Sequence, residues 1–317
     1  MQNTRRRHGS VCQPPAPFGC GWCCAVSTRW TAADLPDQSG RTIIVTGATS
    51  GLGLVTAREL ARVGARVVLA VRDPAKGERA AATMAGHTEV RELDLADLAS
   101  VRNFATGWAG PLDVLINNAG IMRVPEGRTR DGFELQIGTN HLGPFALTNL
   151  LLPHITGRVV TVSSQLHRRG RLDLDDLNWR SRRYKSLQAY CDSKLANLLF
   201  ILELQRQLTA AGSGVLAVAA HPGIATTNLT SHLSGIGAKL GKGVKHLFND
   251  AEHGALPTLY AATQDVPGAC YAGPDGPAHL RGYPEIGTPS KRARDPDLAR
   301  QLWNLSARLT QPAHQDR

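Results

Sequence analysis

Tyr190 and Lys194 stand four residues apart in AYCDSKLANLLF (189–200), an offset that places a phenol and an ammonium on one face of a helix. Leu195, Ala196, Leu198, Leu199, Ile201, Leu202 and Leu204 make most of the following surface apolar, so the pair is expected to open a buried helix. A Tyr left alone titrates near 10, and a fixed positive charge within about 4–6 Å favours the phenolate and lowers that value. The spacing therefore predicts a tyrosine that trades protons near neutral pH. Taken by itself, the same pair also reads as a core aromatic beside a snorkelling lysine.

A second chemical feature lies near the other end of the chain. Thr46-Gly47-Ala48-Thr49-Ser50-Gly51-Leu52-Gly53 sits between a strand-like RTIIVT and a helix-like LVTARELARVG. Glycines at such a turn let the backbone approach a pyrophosphate, and the helix behind it offers unpaired N–H groups and about half a positive charge. A glycine turn alone also suits tight helix–sheet packing; inside a βαβ unit it points to a dinucleotide.

The elements that must hold these features alternate along the chain. After ARVVLAV (65–71) and a helical 74–86 come TEVREL (88–93), a helix over 97–108, LDVLINN (112–118), a long helix across 131–152 and RVVTVSS (158–164). The helix of Tyr190, the strand GVLAVAA (214–220), an irregular 223–250 and helices near 251–263 and 296–309 complete the series. The expected fold is α/β: a single Rossmann-type, doubly wound parallel sheet flanked by helices on both faces. Its 42% hydrophobic and 5% aromatic composition over 317 residues suits branched aliphatic strands under closely packed helices.

Four of the ten excess positive charges fall in the first thirty residues, as Arg5, Arg6, Arg7 and Arg29 with no acid. The remainder is mildly basic, without zinc-finger spacing or an RNA-binding signature, so no nucleic-acid partner is expected. No apolar run reaches the 18 or so residues of a membrane span, which leads us to expect a soluble, cytoplasmic protein. Cys12, Cys20, Cys23 and Cys24 crowd the opening segment, but CGWCC has no second ligand pair, so no metal is expected. Residues 1–30 read as a disordered extension or as sequence ahead of the mature start, and 35–310 as one domain.

The spacing T-G-x-x-x-G-x-G resembles that of the short-chain dehydrogenase/reductase family, and five further motifs follow in the family's order. They are NNAG at 117–120, Asn140 in the long helix, Ser163-Ser164 ending the fifth strand with YCDSK after it, and HPG at 221–223 ending the sixth. NHLGPFALTNLLLP, YCDSKLANLLF and HPG are most similar to the retinol dehydrogenase-like branch. The resemblance implies that Tyr190 is the general acid/base, that Lys194 lowers its pKa and binds the nicotinamide ribose, that Ser164 holds the substrate oxygen, and that Asn140 holds a proton-relaying water. It also implies dinucleotide contacts from Gly47, Ser50, Gly51, Leu52 and Gly53, from Asn118, Ala119 and Gly120, from Asp94 and Leu95 at the adenine, and from Thr226 at the carboxamide.

Cofactor choice is read where the second strand ends, a place at which an acid usually takes the ribose 2′-OH of NAD. Here Val71 occupies that position and Arg72 follows, which suits the 2′-phosphate of NADP; Asp73, one residue on, leaves NAD open. Tyr184 is set aside because Gln188 stands four residues later, His141 and His167 because no nucleophile accompanies them, and Cys191 because it points about 100° from Tyr190. The 25 residues between Ser164 and Tyr190 form a lip carrying Arg168, Arg169, Arg171, Arg180, Arg182 and Arg183, whose default is a solvated face and whose alternative is a grip on an anionic tail.

The resulting expectation is an oxidoreductase moving hydride between NADP(H) and a carbonyl/alcohol pair on a fairly apolar small molecule, compatible with a homo-oligomer. The rival is a catalytically silent dinucleotide-sensing regulator, against which stands the joint presence of Ser164, Tyr190 and Lys194.

Overall fold

The computed structural model describes residues 29–223 and 250–311. The strands expected from the aliphatic runs form at β1 (Thr42–Thr46), β2 (Arg66–Val71), β3 (His87–Glu92), β4 (Leu112–Asn117), β5 (Ile155–Val162) and β6 (Leu216–Ala220). Two short strands, β7 (Tyr271–Pro274) and β8 (Pro284–Gly287), were not evident from sequence and extend one edge. The order is β3-β2-β1-β4-β5-β6-β7-β8, parallel throughout except for the antiparallel β7–β8 pair. The winding direction reverses between β1 and β4, so the crevice beyond their carboxyl ends is where such a sheet takes a ligand.

Because side chains alternate across a strand, each strand feeds two cores. Ile43, Val45, Val67, Leu69, Val114 and Ile116 pack on one face, beneath α1 (Gly51–Arg62) and α7 (Ala251–Thr263). Ile44, Val68, Leu115 and Val159 face the other side, under α3 (Leu98–Thr106), α5 (Gly143–Leu151), α6 (Ser186–Ala210) and α8 (Pro296–Thr310). Among the described residues, the remaining α-helices are α2 (Pro74–Ala81) and the single turn α4 (Leu135–Ile137). The helices thus cover both faces, as the doubly wound pattern requires.

The structure departs from expectation at several points, the first being α2, which ends at Ala81 and not at 86. The long helix begins at Leu135, not 131: Gly132 has φ +82°, and Glu134 caps the turn by accepting the N–H groups of Gln136 and Ile137 at 2.9 and 2.7 Å. That helix also passes through a π-helical stretch, Gly138–Leu142, before α5. Finally, Trp30, placed in the extension from sequence, is buried edge-on against Tyr260 with ring centroids 5.4 Å apart. The cysteine-rich stretch 12–24 lies outside the described residues. Among those described, no helix is long and apolar enough to cross a membrane, and no cluster of His, Cys, Asp or Glu could hold a metal ion.

Candidate active site

The first wall is built where β1 ends. Gly47 adopts φ +69°, and a Cβ there would stand 3.0 Å from the Cα of Ala119. A Cβ on Gly53 would collide with Asn118 Nδ2 and the Gly47 carbonyl, so only glycine permits this approach of helix to strand. Ser50 precedes α1 but makes no side-chain cap, which leaves the first N–H groups of the helix directed out of the turn. The Thr46 hydroxyl oxygen accepts the backbone N–H groups of Asn118 and Ala119, both at 3.0 Å, while Asn118 Nδ2 donates to the Thr46 carbonyl at 2.8 Å. The two loops that flank the crevice are therefore joined through Thr46, a residue without an assigned role at the level of sequence. Its signal was its place, as the last residue of the strand before the glycines.

The second wall comes from β5 and α6. Ser163 points inward and donates to the Lys194 carbonyl at 2.8 Å, which ties the strand end to the helix. Ser164 points to the cavity, and its hydroxyl accepts the Leu166 N–H at 3.2 Å as cap of a short 3₁₀ turn. Lys194, 4% exposed, donates from Nζ to the Val162 carbonyl at 3.0 Å, and its Nζ lies 5.8 Å from the Tyr190 ring centroid. Tyr190 and Lys194 thus share one face at the start of a buried helix, and Ser164 stands opposite the phenol.

Ser164, Tyr190 and Lys194 line the same cavity of about 610 Å³ as Gly47, Ser50, Gly51, Leu52, Gly53, Arg72, Asp94, Leu95, Asn118, Ala119 and Gly120. Asn140 does not reach that surface. It sits in the π-helical stretch, 1% exposed; its Oδ1 accepts the Ile121 N–H at 2.8 Å, and its Nδ2 donates to the Ile121 carbonyl and to Ser193 Oγ, each at 2.9 Å. Its side chain acts as a brace behind Gly120, and the neighbouring Thr139 lines the cavity instead. Thr226 lies outside the described residues. Lys76, Ile121, Met122 and Leu280 also line the cavity without having been anticipated, because no motif surrounds them.

Electrostatics differ from the simple pair argument. Burial raises the pKa of Tyr190 to about 12, partly opposed by its hydrogen bond with Ser164, and burial lowers that of Lys194 to about 8. In that order, rising pH discharges the lysine before the resting phenol ionises. Near neutral pH the pair is a protonated phenol beside an ammonium, a proton donor with a cation behind it. The expected lowering of the tyrosine is reversed because burial of the phenol dominates its environment.

At the end of β2, Val71 is buried and Arg72 is exposed at the cavity rim. Asp73 caps α2, accepting the Lys76 N–H at 3.0 Å and pairing with Lys76 Nζ at 3.3 Å. Asp94 Oδ1 accepts the Ala96 N–H at 2.9 Å, and Leu95 beside it is buried. The glycine cradle, the open helix N-terminus and the basic rim fit a dinucleotide diphosphate. His141, Tyr184 and Cys191 take structural positions: His141 meets Ser306 Oγ at 2.8 Å, Tyr184 donates to Glu134 at 3.0 Å, and Cys191 is buried and free.

Known proteins agree with this architecture. The profile of the short chain dehydrogenase family matches residues 41–235. Human retinol dehydrogenase 13 is 44% identical over 85% of this chain and 84% of its own length, and mouse polyprenol dehydrogenase is 41% identical over 87% and 85%. A crystal structure of an uncharacterised protein from Mycobacterium Paratuberculosis is 59% identical, covers 89% of this chain and 98% of that one, and superposes with a TM-score of 0.80. With a glycine cradle and a Tyr/Lys pair facing one crevice at the switch point of the sheet, the chain belongs to the short-chain dehydrogenase family, as an NAD(P)-dependent oxidoreductase of its retinol dehydrogenase-like branch.

Proposed function

We propose that the chain is an NADP(H)-dependent dehydrogenase/reductase that interconverts a carbonyl and an alcohol on a fairly apolar small molecule. The observation that carries this reading is the shared cavity: the proton donor Tyr190 and the dinucleotide cradle open onto the same space. When bound, the dinucleotide supplies or accepts the hydride. Tyr190 gives its phenolic proton to the substrate oxygen in reduction and recovers it in oxidation. Ser164 donates a hydrogen bond to that oxygen as charge builds on it. Lys194, as an ammonium, stabilises the phenolate left behind and contacts the ribose. Asn140 acts at one remove, by fixing Ile121 and Ser193 next to the pair.

NADP is favoured over NAD by the end of β2. Val71 has no charge to take a ribose hydroxyl, Arg72 is free to fork onto a 2′-phosphate, Lys76 adds a second cation, and Asp73 is engaged at the cap of α2. The apolar substrate is supported by Ile121, Met122, Leu166 and Leu280 along the cavity and by relatives named for retinol and polyprenol. A panel of apolar aldehydes and ketones, assayed for dinucleotide oxidation with NADPH and with NADH, tests both claims. Turnover with NADPH well above that with NADH is expected. No turnover of any carbonyl by dinucleotide-loaded protein, or a clear preference for NADH, would remove the corresponding part.

A further inference from the structure

The arginine-rich lip does not fold as a uniformly solvated face. Arg182 lies over Trp179, its guanidinium carbon 3.8 Å from the ring centroid, and faces Asp176 at 3.4 Å and Asp173 at 3.9 Å. Arg168, Arg169 and Arg171 instead meet Arg292, from the segment ahead of α8, around a second cavity of about 720 Å³. Gln188 and Ser290 contribute to its walls, no carboxylate does, and it shares no lining residue with the dinucleotide cavity.

Two of the four guanidiniums are fixed in place by neutral acceptors. Arg168 donates from Nε to Gln165 Oε1 at 2.9 Å and from a terminal nitrogen to the Thr288 carbonyl at 2.8 Å; Arg292 donates to the Gly170 carbonyl at 3.2 Å. These bonds orient the groups without cancelling their charge. Among the described residues, none of the four forms an ion pair, and Arg169 and Arg171 make no side-chain hydrogen bond at all. Asp192 is the acid behind the wall, but it is 2% exposed, and its Oδ1 accepts the Arg171 N–H and Gln188 Nε2, both at 2.7 Å. Four like charges around one hollow repel each other, and a multivalent anion reverses that cost. Guanidinium forks match carboxylate and phosphate oxygens in pairs, and only a group with several charged oxygens, such as two linked phosphates, engages several forks at once.

We infer that the Arg168–Arg169–Arg171–Arg292 cavity binds a compact group of two or more phosphates, at a site separate from the dinucleotide cleft. The group is carried either by a soluble phosphorylated molecule or by a lipid headgroup. Two links join the site to the chemistry: Gln165, which accepts from Arg168, lines the main cavity, and the Ser290 N–H donates to His167 Nε2 at 3.1 Å while His167 Nδ1 donates to the Ser164 carbonyl at 2.7 Å.

The test is calorimetric titration of the full chain with inorganic pyrophosphate, saturated beforehand with NADP(H), alongside sedimentation with phosphatidylcholine vesicles that contain or lack a phosphoinositide. Arg169→Ala with Arg171→Ala removes two exposed side chains that hold nothing else, and Arg292→Gln perturbs the site from a different segment. The inference expects one pyrophosphate per chain, weakened by added salt and weakened about 10-fold or more for each guanidinium lost. Arg72→Ala, in the dinucleotide cavity, should leave pyrophosphate affinity unchanged. Pyrophosphate binding without vesicle binding assigns a soluble ligand; arginine-dependent sedimentation with phosphoinositide vesicles assigns a headgroup. If neither probe binds, or if both bind the double variant as tightly as the wild type, the inference is wrong.

Discussion

At Tyr190 and Lys194 the decisive quantity is burial, which sequence spacing does not carry. The four-residue offset fixed which face the two groups share, but the sign of the tyrosine shift depends on desolvation, supplied by residues far away in the chain. A consequence can be measured. With Lys194 held down to about 8, its ammonium is lost as pH rises through that value, so carbonyl reduction should fall along an alkaline limb near pH 8. Lys194→Ala should lower turnover sharply and abolish that limb; a pH–rate profile that keeps the limb in the variant would place its origin elsewhere. The position of Arg72 was legible for a different reason, since the end of β2 follows directly from an aliphatic run. Hydrogen bonds to charged groups contribute roughly 1.5–3 kcal/mol, so Arg72→Ala should weaken NADPH by about 10- to 150-fold and NADH little, with Arg72→Lys recovering part. Equal loss of both dinucleotides in binding titrations would contradict this role.

Among the elements, those with sustained apolar runs could be read directly: β1, β2, β4, β5, β6, α1, α6, α7 and α8; β3, HTEVRE, was legible only from its place between two helices. What escaped was short or interrupted. β7 and β8 are four residues each, and their ladder ends on Pro274 opposite Pro284, a residue type that argues against strands. The π-helical stretch before α5 has no compositional signature at all. Nor did any motif announce that Thr46 couples the ends of β1 and β4. Thr46→Val keeps the shape and removes the acceptor of two backbone N–H groups, each costing about 1–3 kcal/mol when buried and unpaired. Denaturant unfolding should show that loss, and dinucleotide affinity should fall with it. A variant as stable as the wild type would mean that the two loops hold without this hydroxyl.

At the scale of the whole molecule, three buried histidines among the described residues set an acid limit. His141 and His221 have pKa values lowered to about 3 and His167 to about 4, all by desolvation. In the unfolded chain a histidine titrates near 6.5, so between roughly pH 6.5 and 4 the unfolded state binds protons that the native state refuses. Stability must then decrease as pH falls through that window, by up to about 2 kcal/mol per histidine at pH 5. Glu134 and Asp192, raised by burial, act in the opposite sense and reduce the net slope. Urea midpoints that stay flat from pH 7 to 5 would contradict this picture. The central claim is that the same whole molecule turns over its bound dinucleotide, and it rests on one proton. The direct test is single-turnover oxidation of bound NADPH by an accepted carbonyl, wild type against Tyr190→Phe, with NADPH affinity measured on both. The account predicts a rate lower by about 10²–10⁴-fold with affinity nearly unchanged, since one donor and little volume are removed. A variant that retains more than half the wild-type rate would contradict it.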